Sequence, residues 1–188
     1  QCFGGSDGAI DLAVFGATPP YQYMWSNNAT TQDITGLFAG SYTVTVQDAN
    51  GCSFNAGPYT ITQPDLLTLS IDSLVHVRCN GENNGYVALA VSGGTSPFQY
   101  LWDNDADEQA IGPLQPGLYA VTLTDANNCT AALSTTINEP SALEASSVQL
   151  QNPTCLGVAD GVLELVVDGG QTPYHYLWNT GSPADTTA

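Results

Sequence analysis

Five cysteines carry the clearest capacity for covalent chemistry in this chain: Cys2, Cys52, Cys79, Cys129 and Cys155. Thiols in pairs close disulfides, and thiols in clusters bind zinc. A zinc site asks for a close Cys-x-x-Cys pair or several His, whereas this chain has no such pair and two His. Cys2 and Cys52 are 50 residues apart, and so are Cys79 and Cys129. The equal spacing predicts the bridges Cys2–Cys52 and Cys79–Cys129, and leaves Cys155 to a partner beyond the last residue. Closing a loop of that size stabilises by about 4 kcal/mol in the chain-entropy model. Disulfides also place the protein in an oxidising, extracellular setting.

The acids come next. In "DNDADE", Asp103, Asp105 and Asp107 alternate as at the start of a calcium loop, where oxygens converge on one hard cation. The Gly expected sixth is Glu108, however, and the bidentate acid is missing. The corresponding stretches "SNNATTQD" and "NTGSPADT" do not repeat the pattern. The loop is read as solvated and acidic, with no cofactor required and calcium as the alternative. Asp7, Asp48, Asp125 and Asp160 each stand near Gly or Asn, which points to turn hydrogen bonding. His76 falls in a strand-like run, and His175 takes a slot that holds Gln22 and Gln99 elsewhere. No Ser-His-Asp or Cys-His set can be assembled, so no catalytic residue is expected and the chain is read as a non-enzyme.

Eighteen acidic residues against one base, Arg78, give a net charge of −17. Such a surface repels nucleic acid and anionic lipid, and keeps the chain soluble. No stretch approaches the ~20 apolar residues of a membrane span. The start shows no charged and apolar leader.

The elements that hold these residues repeat. Trp25, Trp102 and Trp178 are separated by 77 and 76 residues, as are Cys2, Cys79 and Cys155. Cys52 and Cys129 differ by 77, and Pro64 and Pro140 by 76. The chain reads as repeat 1 (residues 1–64, first strand missing), repeat 2 (65–140, complete) and repeat 3 (141–188, second half missing), a window on a longer array. "GAIDLAV", "GYVALAV" and "GVLELVV" alternate apolar side chains with period two, as strands do. Gly-rich turns lead into "YQYMW", "FQYLW" and "YHYLW", whose rings share one face and suit a sandwich core. Tyr42 and Tyr119 open the next strand as Gly-x-Tyr, like the tyrosine corner of immunoglobulin domains. "DANG" and "DANN" then make hairpin turns. Roughly seven short strands and no helical periodicity predict an all-β protein of tandem immunoglobulin-like antiparallel β-sandwiches of about 76 residues each.

The order of these markers resembles the SprB repeat of bacterial gliding-motility surface adhesins. Repeat 1 carries it through Cys2, Asp7-Gly8, Gly16, Pro20, Tyr21, Tyr23, Trp25, Gly36-Leu37, Gly40, Tyr42, Asp48, Gly51, Cys52, Ile61 and Pro64. Repeat 2 does so from Cys79 to Pro140, with Asn84, Phe98 and Asn128 as departures, and repeat 3 from Cys155 to Trp178. The resemblance implies export by the type IX route and a cell-surface filament that supports adhesion during gliding. The expected role is a stalk segment of a large secreted adhesin. The alternatives are glycan binding through Thr30–Thr35 and Asp103–Ala110, or self-assembly into an extracellular fibre or sheath through edge strands. Expected partners are neighbouring repeats, then surface polysaccharide or like filaments, with neither nucleic acid nor membrane insertion. Asn28-Ala-Thr and Asn128-Cys-Thr fit the asparagine sequon. Asp72-Ser73-Leu74 and Asp185-Thr186-Thr187 resemble the short sugar-acceptor motif of bacteria that share this export route.

Overall fold

A computed structural model describes residues 2–178. The strands of repeat 1 are β1 (Gly8–Ile10), β2 (Gln22–Trp25), β3 (Ile34–Leu37), β4 (Gly40–Gln47) and β5 (Ser53–Ile61). Repeat 2 has β6 (Thr68–Val75), β7 (Gly85–Ser92), β8 (Gln99–Trp102), β9 (Ala110–Leu114), β10 (Gly117–Thr124) and β11 (Thr130–Ile137). Repeat 3 shows β12 (Glu144–Gln151) and β13 (Val162–Asp168). No helix occurs among the described residues.

The complete repeat therefore holds six strands rather than about seven, in two sheets ordered β6-β7-β9 and β8-β10-β11. Repeat 1 has the counterparts β1-β3 and β2-β4-β5. The ladders β1–β3, β2–β4, β4–β5, β7–β9 and β12–β13 run antiparallel. This is the expected all-β, sandwich-like architecture.

One predicted strand is shorter than its sequence suggests. "GAIDLAV" yields only the three residues of β1, while its counterpart β7 spans eight. β7 lies between β6 and β9, whereas β1 has β3 alone as neighbour. Beyond β1, side chains complete the backbone bonding: Leu12 N–H donates to Asp33 Oδ1 at 2.9 Å, and Gln32 Nε2 donates to the Leu12 carbonyl. Gln109 repeats the second bond to the Leu89 carbonyl at 2.6 Å. The sequence reading missed this glutamine, which recurs one period apart.

Chain packing divides the molecule into two compact units that do not follow the repeat boundaries. The first comprises residues 1–70, 90–101 and 121–133, and the second 71–89, 102–120 and 134–188. In the first unit, the repeat 1 core gathers Ile10, Leu12, Trp25, Ile34, Leu37, Val44 and Val46, drawn from both sheets. Exactly this set recurs as buried positions 77 residues later: Val87, Leu89, Trp102, Ile111, Leu114, Val121 and Leu123. The alternation in β2 places Trp25 inside and Met24 outside, with Tyr21 and Tyr23 half-buried against the core. Tyr59 packs at a tilt on Trp25, with ring centroids 6.1 Å apart. Trp178 is half-buried, and its indole N–H finds no acceptor among the described residues.

The tyrosine corner is present in both repeats. Tyr42 O–H donates to the Phe38 carbonyl at 3.0 Å, and Tyr119 O–H to the Gln115 carbonyl at 3.1 Å. Each hydroxyl ties the start of its strand to the turn four residues upstream.

Candidate functional site at the repeat joint

The cysteines do not pair as their spacing predicts. Cys2 bonds Cys129, with Cα atoms 5.6 Å apart and a sequence separation of 127. Cys52, Cys79 and Cys155 are exposed free thiols. The bridge lies within the first compact unit and joins repeat 1 to the β10–β11 turn of repeat 2.

β4 is the physical reason. Its register pairs Gly40 with Ile61 at one end and Gln47 with Ser53 at the other. Seven steps of ~3.3 Å put those ends roughly 23 Å apart. Cys2 belongs to the first end, because Gly4 N–H donates to Gln63 Oε1 at 2.8 Å. Cys52 precedes Ser53 at the other. A disulfide tolerates Cα separations of only ~4.4–6.8 Å, so Cys2 and Cys52 cannot meet. In repeat 2, β11, the counterpart of β5, separates Cys129 from Glu139, to which Gly81 N–H donates at 2.7 Å beside Cys79.

The first joint spans the six residues 62–67 between β5 and β6. It is built from both sides. Gly94 N–H donates to the Asp65 carbonyl at 2.9 Å, and Leu67 is buried. Gly93 takes φ +69°, and a Cβ there would collide with the Leu66 carbonyl. Only glycine combines that backbone with so close an approach.

Asp125 fixes the cysteine of the turn. Its Oδ1 accepts the N–H of Asn127 and of Cys129, both at 2.8 Å, and its Oδ2 accepts Thr95 N–H at 2.9 Å. Asn127 Nδ2 reaches Thr95 Oγ1 at 2.9 Å. The carboxylate is 4% exposed and is the one buried charged residue among those described. Burial opposes its ionisation, but the N–H donors of Cys129, Thr95 and Asn127 outweigh burial and hold its pKa below the usual carboxylate value. Asp48 repeats the turn in repeat 1, accepting Asn50 and Cys52 N–H at 2.9 Å each. The turn role expected of these acids is thus their geometry.

The shifted carboxyl makes stability depend on pH. A folded pKa below the unfolded value of about 3.9 means that the contribution is complete above that value and is lost as pH falls through the folded pKa. The Asp125→Asn variant should therefore be less stable than the parent at pH 6. The gap should narrow below about pH 4. Urea unfolding followed by tryptophan fluorescence at the two pH values measures it, and a gap independent of pH would refute the assignment.

Asn84 and Asp160 share another position. Asn84 Oδ1 accepts Arg78 N–H at 3.0 Å, and Asp160 Oδ1 accepts Thr154 N–H at 2.9 Å. The bond needs an acceptor oxygen, not a charge, which accounts for Asn at 84. The side-chain and backbone bonds from Thr154 also lower the Asp160 pKa.

The acidic loop after β8 is a turn shared with repeat 1. Asp103 Oδ2 accepts Ala120 N–H at 3.1 Å, as Ser26 Oγ accepts Thr43 N–H at 3.2 Å. Asp105 takes φ +64°, as Asn28 takes φ +68°. Asp103 Oδ2 and Asn104 Oδ1 thus accept backbone N–H groups, and no group of three metal-ligating side chains forms among the described residues. His76 Nδ1 accepts Asn138 N–H at 3.2 Å, and His175 is exposed. "NTGSPADT" and Asp185-Thr186-Thr187 lie outside the described residues.

Comparison with known families agrees with the pattern of markers. The SprB repeat model matches residues 1–30, 72–107 and 147–183, one match in each repeat and more than half of the chain together. A search of curated proteins found no match. SprB repeats are typical of cell-surface proteins, and the region is adhesin-like. With its Trp and Tyr landmarks in an all-β frame and three matches to one model, this chain belongs to the SprB repeat family.

Proposed function

We propose that the chain is a stalk segment of a large secreted adhesin, holding a binding end away from the cell. The carrying observation is the joint, where six residues connect adjacent repeats under hydrogen bonds from both sides and a disulfide. A Gly/Ser tether would leave neighbouring repeats independent, whereas a bonded joint passes load between them. The acidic surface supports solubility and mutual repulsion of like filaments. Export by the type IX route, adhesion and gliding come with this reading, as do an extracellular location, no enzymatic activity and no required cofactor. Its partners are neighbouring repeats.

The test is hydrodynamic and chemical. At micromolar concentration, light scattering with and without calcium should report a monomer. Small-angle scattering should report an elongated one, and a glycan array should stay silent. Calcium-dependent or spontaneous assembly would favour the fibre reading. Selective glycan binding lost on changing Thr30–Thr35 or Asp103–Ala110 would favour the polysaccharide reading.

A further inference from the structure

We infer that every joint of the array carries an inter-repeat disulfide, and that Cys79 is the first half of the one at the second joint. Its partner would be the turn cysteine of repeat 3 once that repeat is completed. The inference concerns the joint alone and holds whether or not the protein serves as a stalk.

The second joint reproduces the first, part by part. It too spans six residues, 138–143. Gly81 N–H donates to Glu139 Oε2 at 2.7 Å, where Gly4 N–H donates to Gln63 Oε1 at 2.8 Å. Gly170 N–H donates to the Ser141 carbonyl at 2.9 Å, where Gly94 N–H donates to that of Asp65 at 2.9 Å. Gly169 takes φ +72°, and a Cβ there would collide with the Ala142 carbonyl, as one on Gly93 would with that of Leu66. Cys79 stands where Cys2 stands, 77 residues earlier, and is exposed. The first joint places the turn cysteine of the following repeat at this position. Cys52, held by Asp48 as Cys129 is by Asp125, would be the matching half for a repeat placed before it. The three free thiols are thus halves of one kind of bridge. Each bridge forms as two thiols give two protons and two electrons to the disulfide of a thiol–disulfide exchange protein, which leaves as a dithiol.

The experiment completes repeat 3. Residues 180–188 of the full chain are replaced by a copy of residues 104–140, which supplies a turn cysteine. The oxidised protein is unfolded with its thiols blocked, and its bridges are mapped without reduction. Cys79 should change from fully labelled to unlabelled and be joined to the supplied cysteine. Cys52 and Cys155 should stay labelled, and Cys79→Ser should release the supplied cysteine to the label. A bridge from Cys155 to the supplied cysteine, or a labelled Cys79, overturns the inference. So does the absence of Cys2–Cys129 from the same map, because that bridge is its template.

Discussion

Trypsin should cut this protein once and yet leave it in one covalent piece. Arg78 is the only Lys or Arg in the chain, so cleavage yields residues 1–78 and 79–188. Cys2 lies in the first fragment and Cys129 in the second, so the observed bridge crosses the cut. Unfolded in urea with its thiols blocked, the cleaved chain should run near its full 19.6 kDa without reductant and fall into two bands with it. Bridges at Cys2–Cys52 and Cys79–Cys129 would each stay within one fragment, and the bands would separate unreduced. The blocking step gives an independent count. Three thiols should be labelled, at Cys52, Cys79 and Cys155, against one for the within-repeat pairing. The bridge encloses a long loop, for which the chain-entropy model assigns about 5 kcal/mol. Reduction should therefore lower the stability of the first unit markedly in urea.

Replacing Trp102 by Ala should cost about 3–5 kcal/mol. The side chain is 2% exposed, so truncation removes a large ring from a closed core. It also removes an indole N–H that donates to the Glu108 carbonyl at 2.9 Å and anchors the loop after β8. Trp25 makes the same bond to the Thr31 carbonyl at 2.8 Å, so the anchor belongs to the repeat. The neighbouring Leu101 is 62% exposed, and Leu101→Ala should stay within about 0.5 kcal/mol of the parent. Urea unfolding of the two variants tests the alternation of β8 directly. Equal losses would mean that the strand does not present alternate residues to core and solvent.

Local and periodic features were legible in the amino-acid order. The alternation around Trp25 and Trp102, the Gly-x-Tyr start and the Asp-Ala-Asn turns each depend on side chains a few residues apart. Strand geometry converts that spacing into faces without reference to the rest of the molecule. The length of β1 was not legible, because a strand extends as far as its neighbours pair with it, and β1 has one neighbour where β7 has two.

The sequence by itself determined the repeat, the all-β sandwich, the inward-facing Trp25 and Trp102 and the turn acids, since these follow from short spacings and a strict period. Tertiary structure alone decided the cysteine partners. In a periodic chain a partner is known only to within one period: Cys2 lies 50 residues from one turn cysteine and 127 from the next, and the two turns are alike in sequence. The length of β4 carries the nearer turn to the far end of the sandwich, and the six-residue joint brings the farther one alongside. A sulfur bridge spans only a few ångströms, so distance in space, not distance along the chain, made the choice.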